Sequence, residues 1–317
     1  MVGMQVVVVG SANADLVVEV PRRPGGGETL LGGELRTLPG GKGANQAAAA
    51  ARSGAATGFA GSVGDDGNGA FLRERLEEAG VDVAGLDTVD AATGTAIILL
   101  TPDGENSIVV SPGANHAFDI AAADRVASVW RGAPVVVLSL EIPHETAFHV
   151  AREAAAAGSR VLLNAAPSVP IGAGILGLCD PLVVNEHEAL EVLGAGADDP
   201  DASDYPRLAG RLLAAGARSV VVTLGAEGAL VAEAAAGGPQ AEAEVHAVPA
   251  YRVAAVDTTG AGDAFVGATA AELARGRSLL DAVRFATAVS AVAVQRVGAQ
   301  ASYAGRAEVE AFIAARA

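Results

Sequence analysis

The residues with the clearest chemical potential lie near the carboxyl end of the chain. There Gly260 and Gly262 precede Asp263 at the start of a predicted helix. Glycines at a helix start leave backbone N–H groups uncovered, and the helix dipole adds partial positive charge. This suits a phosphoryl group whose charge grows during transfer. Asp263 is then either a base that accepts a proton from an attacking hydroxyl, or a first-turn carboxylate that favours the dipole.

A second glycine-rich run, Gly41-Lys42-Gly43-Ala44-Asn45, opens an alanine-rich segment of helical period. It is not a P-loop, because Gly43 stands where Ser or Thr must follow the lysine. The glycines allow a small polar ligand to approach the backbone closely, and Lys42 and Asn45 can donate to its hydroxyl groups. The alternative is a glycine-rich helix entry with a solvated lysine.

Asn13 and Asp15 follow the apolar run Val6–Val9. Ligands of open α/β sheets bind beyond the carboxyl ends of the strands. An amide and a carboxylate at this spacing suit the recognition of neighbouring hydroxyl groups. An ordinary Asx turn is the alternative.

Two further strand ends carry candidate residues. Asn185 and Glu188 can hold Mg²⁺ through its waters, although a helix cap with acidic first-turn residues fits equally well. Thr223, Gly225 and Gly228 can hold nucleotide phosphates or ribose, or can simply turn a hairpin.

The pattern predicts an α/β fold, with a doubly wound, mostly parallel sheet flanked by helices. Short continuous apolar runs are typical of strands that are buried on both faces. The predicted strands are Val6–Val9, Val135–Leu138, Val161–Leu163, Leu182–Val184 and Val220–Thr223. The predicted helices are Ala44–Arg52, Gly69–Ala79, Ala121–Trp130, Glu145–Ala157, Pro206–Ala215, Ala264–Arg275 and Leu279–Val294.

Two pairs of segments break this alternation and predict a small separate β-sheet. Asp15–Val20 pairs with Glu28–Leu38, and Thr95–Thr101 pairs with Ser107–Ser111 through a turn at 102–104. The small sheet is either a lid over a cleft or decoration. The acidic stretch 234–244 is predicted to be an exposed loop.

Composition narrows the function classes. The 317 residues carry a formal net charge of -16, which leaves no basic surplus for nucleic acid. Aromatic residues make up only 3%, which argues against base-stacking platforms. The single cysteine, Cys179, excludes an intrachain disulfide. The chain shows no signal peptide and no apolar run of membrane-spanning length, so we expect a cytoplasmic protein.

Taken together, these motifs resemble the ribokinase family of carbohydrate kinases, which includes adenosine kinases and fructokinases. The resemblance covers nearly the whole chain, and its two signature regions are 41–54 and 257–265. Finer resemblances lie at 10–15, 140–141 and 297–300. It implies one ribokinase-like domain over residues 1–317, with a lid from about 14–39 and 95–112. In the family, two lids often clasp to form a homodimer.

The resemblance also implies transfer of the γ-phosphoryl group of MgATP to a sugar, and O5 of D-ribose is the expected acceptor. Asp263 would be the base, and the N–H groups of Gly260, Ala261, Gly262 and Asp263 would form the anion hole. The implied sugar-binding residues are Asn13, Asp15, Gly41, Lys42, Gly43, Asn45, Glu141 and Asp263. The implied ATP-binding residues are Asn185, Thr223, Gly225, Gly228, Gly262 and Thr287, with Asn185 and Glu188 organising Mg²⁺.

Members of the family also use a monovalent cation, usually K⁺. The matching positions are Asp257, Thr259, Ala293, Arg296, Gly298 and Ser302. Two departures from the family pattern are Asn164-Ala165-Ala166-Pro167 and Thr287, the latter at a position where some members place a histidine near adenine.

Three alternative functions stand beside this one. The first is phosphorylation of another sugar, a nucleoside or a sugar phosphate, and Arg22, Arg23 and Arg36 near the lid keep the last open. A sugar-binding regulator without turnover is disfavoured by the intact Asp263. A nicotinamide-dependent dehydrogenase is disfavoured because no glycine fingerprint follows Val6–Val9.

Overall fold

The structure is a computed structural model that describes residues 3–102, 106–234 and 244–316. Part of the predicted turn at 102–104 and most of the acidic stretch 234–244 lie outside these ranges. The strands are β1 (Val6–Val9), β2 (Asn13–Glu19), β3 (Arg36–Gly40), β4 (Thr57–Gly64), β5 (Val81–Val89), β6 (Gly94–Leu100), β7 (Asn106–Ser111), β8 (Val135–Leu138), β9 (Arg160–Asn164), β10 (Cys179–Asn185), β11 (Ser219–Thr223), β12 (Gly228–Glu233) and β13 (Glu244–Pro249).

The α-helices lie between and after these strands. They are α1 (Lys42–Arg52), α2 (Gly67–Glu78), α3 (Ala114–Ala117), α4 (Ile120–Arg125), α5 (Ala127–Trp130), α6 (His144–Ala156), α7 (Ala173–Leu176), α8 (Glu186–Val192), α9 (Tyr205–Ala214), α10 (Ala261–Ala274), α11 (Leu279–Ala293) and α12 (Arg306–Ala314). Short 3₁₀ turns occur at Gly225–Glu227 and Gln300–Ser302.

The main sheet has nine strands in the order β13-β12-β11-β10-β9-β8-β1-β4-β5. Its pairings are parallel from β11 to β5, and β12 and β13 add antiparallel at one end. Val6–Val9 is fully buried between β4 and β8, as the continuous apolar run predicts. The chain winds outward from β1 in both directions, so β1 lies where ligands of such sheets bind.

Helices cover both faces of this sheet, which confirms the doubly wound prediction. One face carries α1, α2, α10, α11 and α12 over an alanine- and valine-rich core. The other face carries the helices from α4 to α9. No helix in the described ranges is long and apolar enough to cross a bilayer.

A second sheet of four strands, in the order β3-β2-β6-β7, confirms the predicted separate β-sheet. β2 runs antiparallel to β3 and parallel to β6, and β7 is an edge strand. The predicted strand Glu28–Leu38 is wrong over most of its length, because β3 begins only at Arg36. Pro24 and the glycines at 25–27 and 32–33 disfavour extended pairing before it.

The predicted helix Ala121–Trp130 is wrong as one helix, because it is divided at Val126 into α4 and α5. The indole Nε1 of buried Trp130 donates to the carbonyl of Ala123 at 3.1 Å. In a continuous helix that carbonyl would accept from Ala127. The side chain therefore takes the place of one main-chain hydrogen bond.

The close approach of α1 and α10 depends on Gly267. A Cβ atom added there would lie 2.4 Å from the carbonyl oxygen of Gln46 and 2.6 Å from the Cβ of Ala49. Because Gly267 lies one turn beyond Asp263, the same contact sets the distance between Asp263 and α1.

We expect Gly267→Ala to lower the free energy of unfolding by about 1–3 kcal/mol, since the added methyl group overpacks the helix interface. Urea unfolding measures this. The matched control is Gly210→Ala inside α9, where an added Cβ meets no atom within 4 Å. It should be neutral or stabilising by up to about 1 kcal/mol. Equal effects of the two substitutions would contradict the packing role.

Candidate active site

Polar residues stand at the carboxyl ends of five adjacent strands of the main sheet. Ser11 and Asn13 follow β1, and Glu141 follows β8. Asn164, Asn185 and Thr223 end β9, β10 and β11. Because parallel strands end at the same edge, the fold gathers these side chains along one cleft.

Asp263 lies in this cleft, in the first turn of α10, and is only 8% exposed. Its Oδ2 accepts a hydrogen bond from Nδ2 of Asn45 at 3.0 Å. Its Oδ1 accepts from Nε2 of Gln46, also at 3.0 Å. The two glycine-rich regions, 218 positions apart at these residues, therefore form one centre.

Glu141 joins β1 to the start of α1. Its Oε2 accepts from Oγ of Ser11 at 2.6 Å and from the main-chain N–H of Lys42 at 3.0 Å. Gly41 has a φ of 86°, and a Cβ added there would lie 2.7 Å from the main-chain N of Asn13. A Cβ on Gly43 would lie 2.6 Å from the main-chain N of Ser11. Both glycines thus permit close backbone approach, as their pattern predicts.

Asn13 is held by Asn115, a residue that lies outside the motifs described above. Nδ2 of Asn115 donates to Oδ1 of Asn13 at 2.7 Å, and the Oδ1 of Asn115 accepts from the main chain of Ala12. Asp15 lies over Gly40, where an added Cβ would be 2.1 Å from the carboxylate. Asn13 is the first residue of β2, and its amide oxygen accepts from Asn115. It therefore does not form the Asx turn that was the alternative interpretation.

The cleft concentrates negative charge around one lysine. Burial raises the pKa of Asp15 to about 7, and Glu141 and Asp263 contribute to this rise. Burial lowers the pKa of Lys42, but the carboxylates of Asp263, Glu141 and Glu188 outweigh this, so the net shift is upward. Lys42 is partly buried and stays charged, so the interpretation as a solvated lysine is wrong.

Burial also raises the pKa of Asp263, against the opposing effects of Lys42, Asn45 and Gln46. The pKa of Glu188 is raised by burial as well. The carboxylates of Asp263 and Glu188 therefore depend on Lys42 and on nearby hydrogen-bond donors to remain ionised.

The start of α10 is held by hydrogen bonds to its main-chain carbonyls. Gly260 is its N-cap in the left-handed region, with a φ of 71°. The hydroxyl of Tyr303 donates to the carbonyl of Gly260 at 2.9 Å, and Oγ of Ser290 donates to the carbonyl of Ala261 at 2.9 Å. The N–H of Ala261 donates to Thr258 at 3.2 Å, whereas those of Gly260, Gly262 and Asp263 have no partner among the described residues.

A cavity of about 700 Å³ adjoins this helix start. It is lined by all six residues that the resemblance assigns to ATP: Asn185, Thr223, Gly225, Gly228, Gly262 and Thr287. Tyr251, Arg252 and Phe265 also line it, and the sequence analysis did not assign them. Tyr251 and Arg252 lie in a segment without a periodic or glycine-rich signal, and Phe265, at the end of the glycine-rich signature, could equally be a core residue of the predicted helix.

The helix cap at Asn185 and the hairpin at Thr223, which were the alternatives to ligand binding, are both present, and both border the cavity. Asn185 and Glu188 form a reciprocal capping box at the start of α8, with hydrogen bonds of 2.8 and 2.9 Å. Thr223 and Gly228 belong to an antiparallel hairpin between β11 and β12. Both structures shape the cavity wall, so neither interpretation excludes the other.

Asp257 links two loops beside the helix start. Its Oδ1 accepts from the N–H of Thr259 at 2.9 Å and its Oδ2 from that of Gly298 at 2.8 Å. Within the described part of the chain, the carbonyls of Thr259, Arg296 and Gly298 accept no hydrogen bond. A carboxylate beside free carbonyl oxygens is a donor set that fits a hard cation such as K⁺. The hydroxyl of Ser302 donates to Ala299, and the carbonyl of Ala293 accepts from Arg296.

Comparison with known proteins agrees with this geometry. The family model for pfkB family carbohydrate kinases matches residues 4–304. The chain belongs to this family. It is 36% identical over 315 residues to a ribokinase of Schizosaccharomyces pombe, covering 97% of both chains. It is 35% identical over 303 residues to a deoxyribokinase of Salmonella typhi, covering 95% of both.

The fold of this carbohydrate kinase also matches solved structures. An Arabidopsis thaliana ribokinase complexed with ribose and ATP superposes with a TM-score of 0.86 at 33% identity, covering 98% of this chain and 99% of that one. The nine-stranded, mostly parallel sheet with a second small sheet is thus the ribokinase fold.

Asp15 provides a test of the site's electrostatics through stability. The folded chain keeps the Asp15 proton up to about pH 7, whereas an unperturbed aspartate has a pKa of 3.8. Its contribution to stability is therefore complete below about pH 4 and is lost as the pH rises to about 7. Relative to wild type, Asp15→Asn should gain stability over this range, by at most about 4 kcal/mol. Urea unfolding across the range, with exposed Asp90→Asn as control, measures it. Parallel curves for wild type and Asp15→Asn would contradict this assignment.

Proposed function

We propose that this kinase transfers the γ-phosphoryl group of MgATP to O5 of D-ribose, with Asp263 as the general base. The observation that carries the proposal is the 3.0 Å hydrogen bond between Asn45 and Asp263 at the start of α10. It joins the predicted sugar residues to the predicted phosphoryl site. The cavity of about 700 Å³ then extends from the same helix start toward β10 and β11.

In the proposed mechanism, the sugar lies between β1, β8 and α1. Asn13 and Asp15 form hydrogen bonds with neighbouring hydroxyl groups of the sugar. Lys42, Asn45 and Glu141 surround the same hydroxyl groups. The close glycine contacts at 41 and 43 let the ring approach the backbone. Asp263 then removes the proton from the attacking hydroxyl as the phosphoryl group arrives.

The phosphoryl group would be received by the free N–H groups at the start of α10. Tyr303 and Ser290 hold the carbonyls of Gly260 and Ala261 in this turn, and Ala261 and Gly262 line the cavity. The helix dipole adds to the attraction for the phosphoryl group. Such preorganised donors stabilise the charge that grows in the transition state. Positioning then supplies much of the remaining rate.

Two cations belong to the proposal. Asn185 and Glu188 would orient the waters of a Mg²⁺ ion bound with the ATP phosphates. The ion would neutralise negative charge on the transferred group. Asp257, Thr259, Ala293, Arg296, Gly298 and Ser302 would surround K⁺. The link from Asp257 to both Thr259 and Gly298 ties these loops to the helix start.

The choice of D-ribose rests on the ribokinase relatives, and 2-deoxyribose is the second candidate because of the similar deoxyribokinase. A sugar phosphate is less favoured. Arg22 is paired with Glu28, with one contact at 2.7 Å, and Arg36 with Glu19 at 3.0 Å. These guanidinium groups are already neutralised by carboxylates.

We also propose that residues 1–317 form one domain whose small sheet acts as a lid, over about 14–39 and 95–112. β2 begins at Asn13, β3 ends at Gly40 just before α1, and Gly94 of β6 packs against Asn13. A movement of this sheet would therefore reach the sugar residues directly. The dependence on ATP supports a cytoplasmic location for the enzyme.

The decisive experiment is an ADP-release assay with Asp263→Ala. We expect kcat to fall by roughly 10²–10⁴-fold, because no other group takes the hydroxyl proton, while sugar binding largely survives. Near-normal turnover of the variant would exclude Asp263 as the base.

The same assay on wild type, run with and without K⁺, covers ribose, deoxyribose, fructose, fructose 6-phosphate and adenosine. Ribose should give the highest kcat/KM, and K⁺ should raise the rate. A preference for another acceptor would change the substrate but not the reaction. Ribose binding without ADP release from any sugar would favour a regulator.

We further propose a homodimer through the small sheet. Ile97, Ile108, Val109 and Val110 on β6 and β7 are 47–67% exposed, and β7 is an edge strand of the kind that pairs with another chain. We expect Val109→Lys to yield monomers in sedimentation equilibrium, while Ile120→Lys on α4 leaves dimers. Monomeric wild type at all concentrations would contradict this interface.

A further inference from the structure

Gln46 is completely buried and lies between the catalytic carboxylate and the main sheet. Its Nε2 donates at 3.0 Å to both Oδ1 of Asp263 and Oδ1 of Asn164. We propose that Gln46, itself held by Asn164, is a positioning residue that orients the Asp263 carboxylate and keeps it ionised before turnover. This inference rests on the proposed role of Asp263 as the base.

The hydrogen-bond directions follow from the surroundings. Nδ2 of Asn164 donates to the carbonyl of Val183 on β10 at 3.3 Å, so the Oδ1 of Asn164 faces Gln46 as an acceptor. Both hydrogens of the Gln46 amide are then used, one on Asn164 and one on Asp263. A rotated amide would place its oxygen against two acceptor oxygens, so the donor orientation is fixed.

The amide oxygen of Gln46 supports the same conclusion. It is buried without a hydrogen-bond partner among the described residues. A bare buried acceptor destabilises a fold, whereas an apolar side chain of the same shape would not. The Gln46 amide thus lowers the stability of the core, and its contribution to the site is the hydrogen bond that its NH₂ group donates to Asp263.

The two amides fix the plane of the carboxylate. Gln46 holds Oδ1 from the core side, and Asn45 holds Oδ2. Oδ1 of Asn45 in turn accepts from Nε2 of Gln300 at 3.0 Å. A base fixed at both oxygens keeps the orientation that proton transfer needs.

The charged and titratable groups that influence Asp263 come from five places in the fold. They are Lys42 on α1, Glu141 after β8, Asp15 on β2, Glu188 on α8 and Tyr303 after the 3₁₀ turn at 300–302. Lys42 is the cation among them, and Asn45 and Gln46 are the neutral donors. Removing the Gln46 donor therefore favours the protonated form of Asp263.

The test is the pH dependence of kcat at saturating ribose in Gln46→Met and Gln46→Leu, which remove the amide donor and add no charge. Loss of a hydrogen bond to a charged group should move the acid limb upward by about one to two pH units. The KM for ribose should change little, because Gln46 does not face the sugar. Asp15 contacts the sugar, so its titration is followed separately in kcat/KM.

Val150→Ala, in the core on the opposite face of the sheet, is the control for general destabilisation and should leave the acid limb in place. If the Gln46 variants do not fold, Asn164→Ala frees the Gln46 amide without removing it. It should shift the limb in the same direction by a smaller amount.

An unmoved acid limb in the folded Gln46 variants, or in Asn164→Ala if those do not fold, would overturn the positioning role. Asp263→Asn, measured alongside, separates the two claims. If that variant turns over normally, the proposed base is wrong. If it is inactive while the Gln46 variants keep the wild-type profile, only the inference about Gln46 fails.

Discussion

The site is organised around a carboxylate that is buried at the junction of two helices. An isolated charge in such a place would be strongly disfavoured, so its neighbours must supply both donors and positive charge. Asn45 and Gln46 supply the donors, and Lys42 supplies the charge. All three lie in the first turns of α1, so the position of that helix against α10 determines whether Asp263 can stay ionised.

The helix contact depends on small residues. The facing surfaces of α1 and α10 are rich in alanine, and Gly267 brings the backbones close enough for the side chains near the start of α1 to reach Asp263. The glycines at 41 and 43 serve a different purpose, since they bring the start of α1 against the backbone after β1. Helix α1 therefore both packs against α10 and carries side chains of the site.

Much of this followed from the sequence, and the failures have physical causes. The valine runs of β1, β8 and β11 predict strands because parallel strands buried on both faces are continuously apolar. The strand β4, which reads Thr-Gly-Phe-Ala-Gly-Ser-Val-Gly, has weak strand propensity, yet Gly61 is required there because a Cβ would lie 2.4 Å from the carbonyl of Gly10. Tertiary packing decided its conformation, and local propensity could not reveal it.

The site residues show the same division. Asn45 and Asp263 lie in motifs whose glycines indicate backbone approach, and the family resemblance places both residues at the sugar site. Asn115, Ser290 and Tyr303 act through side-chain hydrogen bonds to Asn13, Ala261 and Gly260. No local spacing indicates such contacts, because they arise only when distant segments pack together.

The separation of 218 positions between Asn45 and Asp263 has a consequence for biosynthesis. Helix α1 leaves the ribosome early, with an alanine surface and buried amides whose partners have not yet been made. Contacts this distant in sequence are slow to form, and exposed apolar surface favours aggregation in the meantime. The nascent chain can therefore complete its catalytic centre only after α10 has emerged.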